Sequence, residues 1–381
     1  MLHKNLKLLF CLVILSMLFA IGCANAALDH EEETKTVEDG NVYYFPHEGL
    51  KHEGTWLQWP HDYTYQGTIE VYEPIWIEMT RGLIQGENVH IIVYDEKEKR
   101  RVQEVLKKED IDMDKVDFYV FPYDDVWIRD NGPIFAYDEE DNLVIQDWKF
   151  NGWGNKAPYE KDDLIPTKIS EATGIQKVDI DMVMEGGALE LDGNGTCIST
   201  LSCVANDNRT SDFTLEEIEA YITKYYGATN FIWLDGLAGM DITDNHIDGM
   251  IKFYDDKTII ATPEFDPSSS EFLKDDEDTK KLLEAKNING VPYEFVFLPS
   301  TKYEVVKVDG EWMKGSYMNF YLGNNVVLVP NYDDENDEVA NKIIQQLYPN
   351  REVIGIDVRD LFADGGMIHC VTQQQPVSKI K

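Results

Sequence analysis

One pattern recurs along this chain and narrows what it can fold into. A short apolar strand is followed by a tight polar turn and a second apolar strand. Gly132 to Trp148 reads this way around Asp138-Glu139-Glu140-Asp141-Asn142, and Gly186 to Leu201 around Asp192-Gly193-Asn194-Gly195. Gly249 to Pro263 repeats it around Asp255-Asp256-Lys257, and Ser316 to Tyr332 around Gly323-Asn324-Asn325. Gly365 to Thr372 reads as the opening strand of a fifth copy, with Thr55 to Trp59 as its partner. Such spacing marks repetition of one supersecondary unit.

Helical patterns separate the copies. Tyr72 to Gln85 is amphipathic, and Lys97 to Lys108 carries Val102, Val105 and Leu106 at helical spacing. Leu215 to Tyr226 follows a Thr214 cap, and Glu338 to Leu347 places Val339, Ile343, Ile344 and Leu347 on one stripe. Strands alternating with helices predict an α/β fold. Asp266 to Lys281, rich in Ser and Asp, reads as an inserted loop. A polar residue stands at a comparable position in each copy: Asp130, Glu185, His246 with Asp248, Asn319 and Cys370. That recurrence predicts a closed, pseudo-symmetric ring with one central site.

The chain has 381 residues, 43% of them hydrophobic, enough for a substantial core. Its 71 acidic and 34 basic residues leave a formal charge of -37. Such a surface repels nucleic acid and anionic membrane and favours a cationic small molecule.

Lys4 and Lys7 precede an apolar run from Leu8 to Ile21, which reads as an export signal over residues 1–26. Ala20-Ile21-Gly22-Cys23 resembles a lipidation box with Cys23 as the modified residue, while Ala24-Asn25-Ala26 fits an ordinary cleavage site. Residues 27–45 read as an acidic tether and 46–381 as the folded domain, so the expected location is extracellular or on the cell envelope. Cys197 and Cys203 share one strand-like run, too far apart for a disulfide if extended, and read as small buried apolar residues. Cys370 then has no bridge partner, which in an exported chain needs a reason. Asp275-Asp276-Glu277-Asp278 and Asp333-Asp334-Glu335 read as solvated turns, and Asn208-Arg209-Thr210 matches a glycosylation sequon.

The polar residues suit chemistry on a guanidinium. Paired carboxylates hold a planar cation through bidentate, charge-assisted hydrogen bonds. A thiolate is the side chain best able to attack its central carbon. A histidine protonates the departing ammonia and then activates water. The assignments follow: Cys370 as nucleophile, His246 as acid and base, Asp130 and Asp248 as the clamp, and Glu185 orienting His246. Trp127 and Asn319 complete the substrate surface, Trp127 as a wall against the cation or its alkyl stem.

These residues sit in longer motifs. They include Trp59-Pro60-His61, Trp127-Ile128-Arg129-Asp130-Asn131-Gly132-Pro133, Phe150-Asn151-Gly152-Trp153-Gly154 and Glu185-Gly186-Gly187. Asp241 to Asp248, Ser316 to Tyr321 and the Cys370 segment through Gln375-Pro376 follow. Together they resemble the agmatine deiminase and Porphyromonas-type peptidylarginine deiminase family of the pentein superfamily. The resemblance spans about residues 55 to 376. It implies a five-fold α/β propeller, the roles given above for Cys370, His246, Asp130 and Asp248, and no metal or organic cofactor. The peptidylarginine enzyme grips a substrate carboxylate through an arginine pair after the first hairpin; Trp148 to Lys156 contains no arginine here. That region, and a sequence running only a few residues past Pro376 without an immunoglobulin-like domain, resemble the agmatine version. The expected reaction is hydrolysis of agmatine to N-carbamoylputrescine and ammonia. Deimination of peptidyl arginine, amidino transfer and a non-catalytic cation-binding role are the alternatives.

Overall fold

The computed structural model describes residues 42–308 and 310–378. The expected export signal, the candidate lipidation residue Cys23 and most of the expected tether lie outside the described residues.

Five sheets share one topology. In each, an opening strand pairs antiparallel with a second strand, a helix crosses over, and a third strand pairs parallel with the second. Ile134–Tyr137, Leu143–Lys149 and Gln176–Val183 form one, with helix Ile165–Thr173 in the crossover. Leu189–Leu191, Thr196–Thr200 and Asn230–Leu234 form the next, around helix Leu215–Tyr226. Ile251–Phe253, Thr258–Ala261 and Glu294–Phe297 repeat it with helix Glu277–Leu283. Tyr321–Leu322, Val326–Asn331 and Glu352–Asp357 repeat it with helix Asp337–Leu347. The remaining sheet is opened by Gln373–Pro376, near the C-terminus. His52–Gln58 and Asn88–Val93 follow around helix Ile69–Leu83, and Val116–Val120 adds a fourth strand. The fold is mixed α/β, as expected.

Local chemistry explains the helices. Thr214 accepts from the Glu217 amide while the Glu217 carboxylate accepts from Thr214 N, a reciprocal cap. Helix Ile69–Leu83 buries Ile75, Trp76, Met79 and Leu83, residues three and four apart that join one core with Val326 to Val329 and Ile344. No helix among the described residues is long and apolar enough to cross a membrane.

Four expectations need correction. The fifth opening strand is Gln373–Pro376 rather than Gly365 to Thr372, and it pairs Trp56 with Gln373 and Thr55 with Gln374. The glutamine run is buried, and the amides of Gln373 and Gln375 find partners. Trp56 Nε1 donates to Gln375 Oε1 at 2.8 Å, and Gln373 Nε2 donates to the Pro133 carbonyl at 2.8 Å. Upstream, Gly365 turns the chain at φ +99°, a conformation open to glycine, and Cys370 falls on the turn His369–Val371. Second, Thr196 to Val204 is extended only through Thr200. Cys203 sits on the helical turn Leu201–Val204, buried and free like Cys197. Third, Asp266 to Lys281 is not all loop. Asp276 caps helix Glu277–Leu283 on the Thr279 amide at 2.8 Å, and Asp278 accepts from the Gly236 amide at 2.9 Å. Fourth, Val339 is exposed and Ala340 takes the core position beside Ile344.

The feature that positions a site is the segment before each opening strand. Short helical turns Ile128–Asn131, Gly186–Ala188, Ile247–Gly249 and His369–Val371 precede four of the five, and an irregular run holding Asn319 precedes the other.

Candidate active site

Those segments bring the predicted polar residues together. Cys370 Sγ lies 3.9 Å from Asp248 Oδ2 and 3.4 Å from Asn319 Oδ1. His246 Nδ1 stands 3.7 Å from Asp130 Oδ1, and its Nε2 is 2.9 Å from Glu185 Oε2. Asp130, Glu185, His246 and Asp248 are all buried. Gly187 sits among them: a Cβ there would stand 2.7 Å from His246 Nδ1, 2.9 Å from Asp130 Oδ1 and 3.1 Å from Asp248 Oδ2. Its amide donates to Asp130 Oδ1 at 3.0 Å. A Cβ on Gly186 would meet the Arg129 carbonyl at 2.1 Å. The Glu-Gly-Gly motif therefore supplies one carboxylate and two positions where no side chain fits.

A cavity of about 620 Å³ reaches Cys370 and Asp130 and is walled by Trp127 and Trp153. Trp127 presses on Gly366, where a Cβ would lie 2.2 Å from the indole. Asp248 and His246 adjoin that lining through Cys370 and Asp130, and Glu185 stands beyond His246. Asn319 Oδ1 also accepts from the His369 amide at 2.9 Å, holding the turn that carries the thiol.

Several residues that the sequence reading did not select belong to this cluster. Trp153 donates its indole N–H to Asp130 Oδ2 at 3.0 Å. It does so from a left-handed backbone, φ 54° and ψ 43°, a strain that concentrates at functional sites. The Asn-Gly-Trp-Gly sequence around it was the available signal. Arg209 donates to Glu185 Oε1 at 2.7 Å and to Asp244 Oδ2 at 2.7 Å. Asn208 is also held here, its amide 3.1 Å from Asp244 Oδ2, so the sequon side chain is engaged within the fold. His369 bridges two buried carboxylates, Nδ1 to Asp248 Oδ2 at 2.8 Å and Nε2 to Glu48 Oε2 at 2.7 Å. Cys203 Sγ lies 3.5 Å from Glu185 Oε2. Glu185, Cys203 and His246 thus offer three ligand atoms within 4.8 Å of one another. Arg209 already occupies Glu185, and burial holds the Cys203 thiol up at about 11, so this trio is accounted for as an ion-pair and packing cluster.

Electrostatics set the resting protonation. Burial, then Asp248 and Asp130, hold the Cys370 thiol well above its ordinary 9.0, with His246 offsetting only part. Burial alone would lower His246, but Asp130, Cys203 and Glu185 outweigh it and hold the imidazole well above 6.5. Burial likewise opposes ionisation of Glu185, yet His246 and Arg209 keep it below the usual carboxylate value. Asp248 is lowered in the same way, burial being outweighed by His369, His246 and Arg129.

A prediction follows from the signs. Thiolate next to two carboxylates is disfavoured, so removing one negative charge lowers the thiol pKa. Asp130→Asn is expected to alkylate Cys370 with iodoacetamide several-fold faster at neutral pH than the parent chain. The parent rate should climb only above the ordinary thiol value of 9.0. Mass-resolved labelling of the Cys370 peptide against pH measures both; an Asp130→Asn rate at or below the parent's would contradict the charge argument.

Residues 44–376 match the Porphyromonas-type peptidyl-arginine deiminase family, and the chain belongs to it. A curated Legionella pneumophila (strain Paris) protein, provisionally named an agmatine deiminase, is 32% identical over 343 residues, covering 88% of this chain and 96% of its own length. A solved Porphyromonas gingivalis structure, provisionally named an arginine deiminase, is 32% identical with a TM-score of 0.77, covering 89% and 99%. A C. jejuni agmatine deiminase with substrate bound is 25% identical with a TM-score of 0.79, covering 90% and 99%.

Proposed function

We propose that this chain hydrolyses the guanidinium of agmatine, giving N-carbamoylputrescine and ammonia. The observation that carries the reading is a thiol on the floor of a cavity, backed by two carboxylates and a carboxylate-bound histidine. The relatives named as agmatine deiminases support it.

The chemistry follows from the geometry. A guanidinium entering against Asp130 and Asp248 brings positive charge to the two groups that hold the thiol up, so substrate binding favours the thiolate. The Cys370 proton passes to solvent, where the released ammonia later takes up its equivalent, and Sγ bonds to the guanidinium carbon. The resulting tetrahedral carbon collapses as His246 gives its proton to the departing nitrogen, and ammonia leaves. An amidino-thioether remains. His246, now neutral, takes a proton from water as the water oxygen bonds to the same carbon. Collapse breaks the C–S bond, returns the thiol and leaves a ureido product. Glu185, held ionised by Arg209, keeps the imidazole oriented and favours its cationic form.

Among the described residues, the cavity lining contains no lysine, arginine or histidine. A free arginine would bring its carboxylate into a cavity without a cation to receive it. The shared five-sheet topology also supports reading the repeats as a pseudo-five-fold propeller around the thiol. Incubating purified protein with agmatine, arginine and an arginyl peptide together, with ammonia measured and ureido products identified by mass, tests the function. Agmatine is expected to be consumed first. Release of no ammonia from any of the three would overturn the hydrolase reading, and preferential citrulline formation in the peptide would replace agmatine with peptidyl arginine.

A further inference from the structure

The cavity that reaches the thiol has a second polar feature which the hydrolysis does not use. Asp125 and Asp364 also line it, together with Tyr65 and Tyr72. Asp125 Oδ1 accepts from the Tyr65 hydroxyl at 2.6 Å and from the Val126 amide at 2.8 Å. Tyr72 hydrogen-bonds Asp364, and the two tyrosine rings meet at 4.6 Å between centroids. None of these partners carries positive charge. Burial first, and then each carboxylate's acidic neighbours, raise both groups above the ordinary aspartate value; Asp364 is among the neighbours of Asp125. Two acids sharing a concave, partly dehydrated space without a counter-ion are stabilised by a cation that enters it.

Their placement on the chain ties them to the reacting end. Asp125 is five residues before Asp130, with Trp127 between them. Asp364 is six residues before Cys370, with Gly366 packed against Trp127 between them. Each acid therefore rides on a segment that also carries a piece of the chemistry, and an aromatic wall belongs to the same cavity. A guanidinium, an apolar stem and a second positive charge would match those three features.

We infer that Asp125 and Asp364 bind the distal ammonium of the substrate and set the preference for guanidines with a cationic tail. This rests on the hydrolase reading, and extends it by naming the residues that select the tail.

The test compares agmatine with n-butylguanidine, which has the same stem length and no ammonium. The parent chain is expected to favour agmatine in kcat/KM by roughly tenfold or more, the scale of a charge-assisted contact. Asp364→Asn, on an exposed turn, and Asp125→Asn should each shrink that ratio several-fold, through KM for agmatine. The parent's preference should also fall as salt is raised. Ratios that stay at the parent value, with both substrates slowed in parallel, would overturn the inference. Calorimetric binding of the two compounds to Cys370→Ser protein gives the same comparison without turnover and covers a variant that folds poorly. Equal affinities there would also overturn it. Failure of the parent chain to hydrolyse either guanidine would instead remove the hydrolase reading, and the inference with it.

Discussion

Cys370→Ser is expected to lower ammonia release from agmatine to background, a loss on the order of 10⁴-fold or more, the scale seen when a catalytic nucleophile is removed. The hydroxyl is a far weaker nucleophile than a thiolate and has no base positioned to ionise it fully. Binding should survive. The substitution leaves Asp130 anchored by Gly187 and Trp153, and Asp248 anchored by His369. Asn319 still holds the turn through the His369 amide. Calorimetry with agmatine should therefore return an affinity near the parent's KM while the ammonia assay reads nothing. A serine variant that keeps more than about 1% of turnover would place the nucleophile elsewhere. A non-catalytic cation-binding protein would bind agmatine in both forms and release ammonia in neither.

The repeated hairpins were legible because their acidic and glycine turns stand out between apolar strands, and four of the five matched in place. Cys370, His246, Asp130, Asp248 and Glu185 could be picked out because each stands just before a recurring hairpin, and the structure gathers them. The strand around Cys370 was misplaced because a glutamine run resembles exposed chain. Only the structure shows Trp56, Arg129 and Pro133 supplying Gln373 and Gln375 with partners. Arg209, Glu48 and His369 were missed for a related reason. Their contacts join separate stretches of chain: Arg209 reaches Glu185 across 24 residues, His369 reaches Asp248 across 121, and Glu48 reaches His369 across 321. No local period or spacing encodes such a contact. Trp153 was quoted within a motif, but its role depends on a backbone conformation that residue type does not disclose.

His246→Gln should produce the second large effect, a fall in turnover of about 10²–10⁴-fold, because one residue serves both proton transfers. The two steps need not suffer equally. Ammonia can be protonated slowly by solvent at the cavity mouth, whereas water attack on the amidino-thioether loses its only positioned base. The expected outcome is a covalent adduct on Cys370, detectable by intact mass after acid quench and absent in the Cys370→Ser, His246→Gln double variant. Retention of more than a tenth of parent turnover would remove His246 from both steps. Glu185→Gln separates orientation from chemistry. It leaves the imidazole in place but removes an anion that holds His246 protonated, so the pH limb belonging to His246 should move to lower pH. It also leaves Arg209 buried with Asp244 as its remaining carboxylate, so a loss of stability should accompany the shift. A pH profile that stays put while stability falls would reduce Glu185 to an anchor for Arg209. A profile that moves in the predicted direction would show that the buried Arg209–Glu185–His246 chain sets the protonation state on which both halves of the reaction depend.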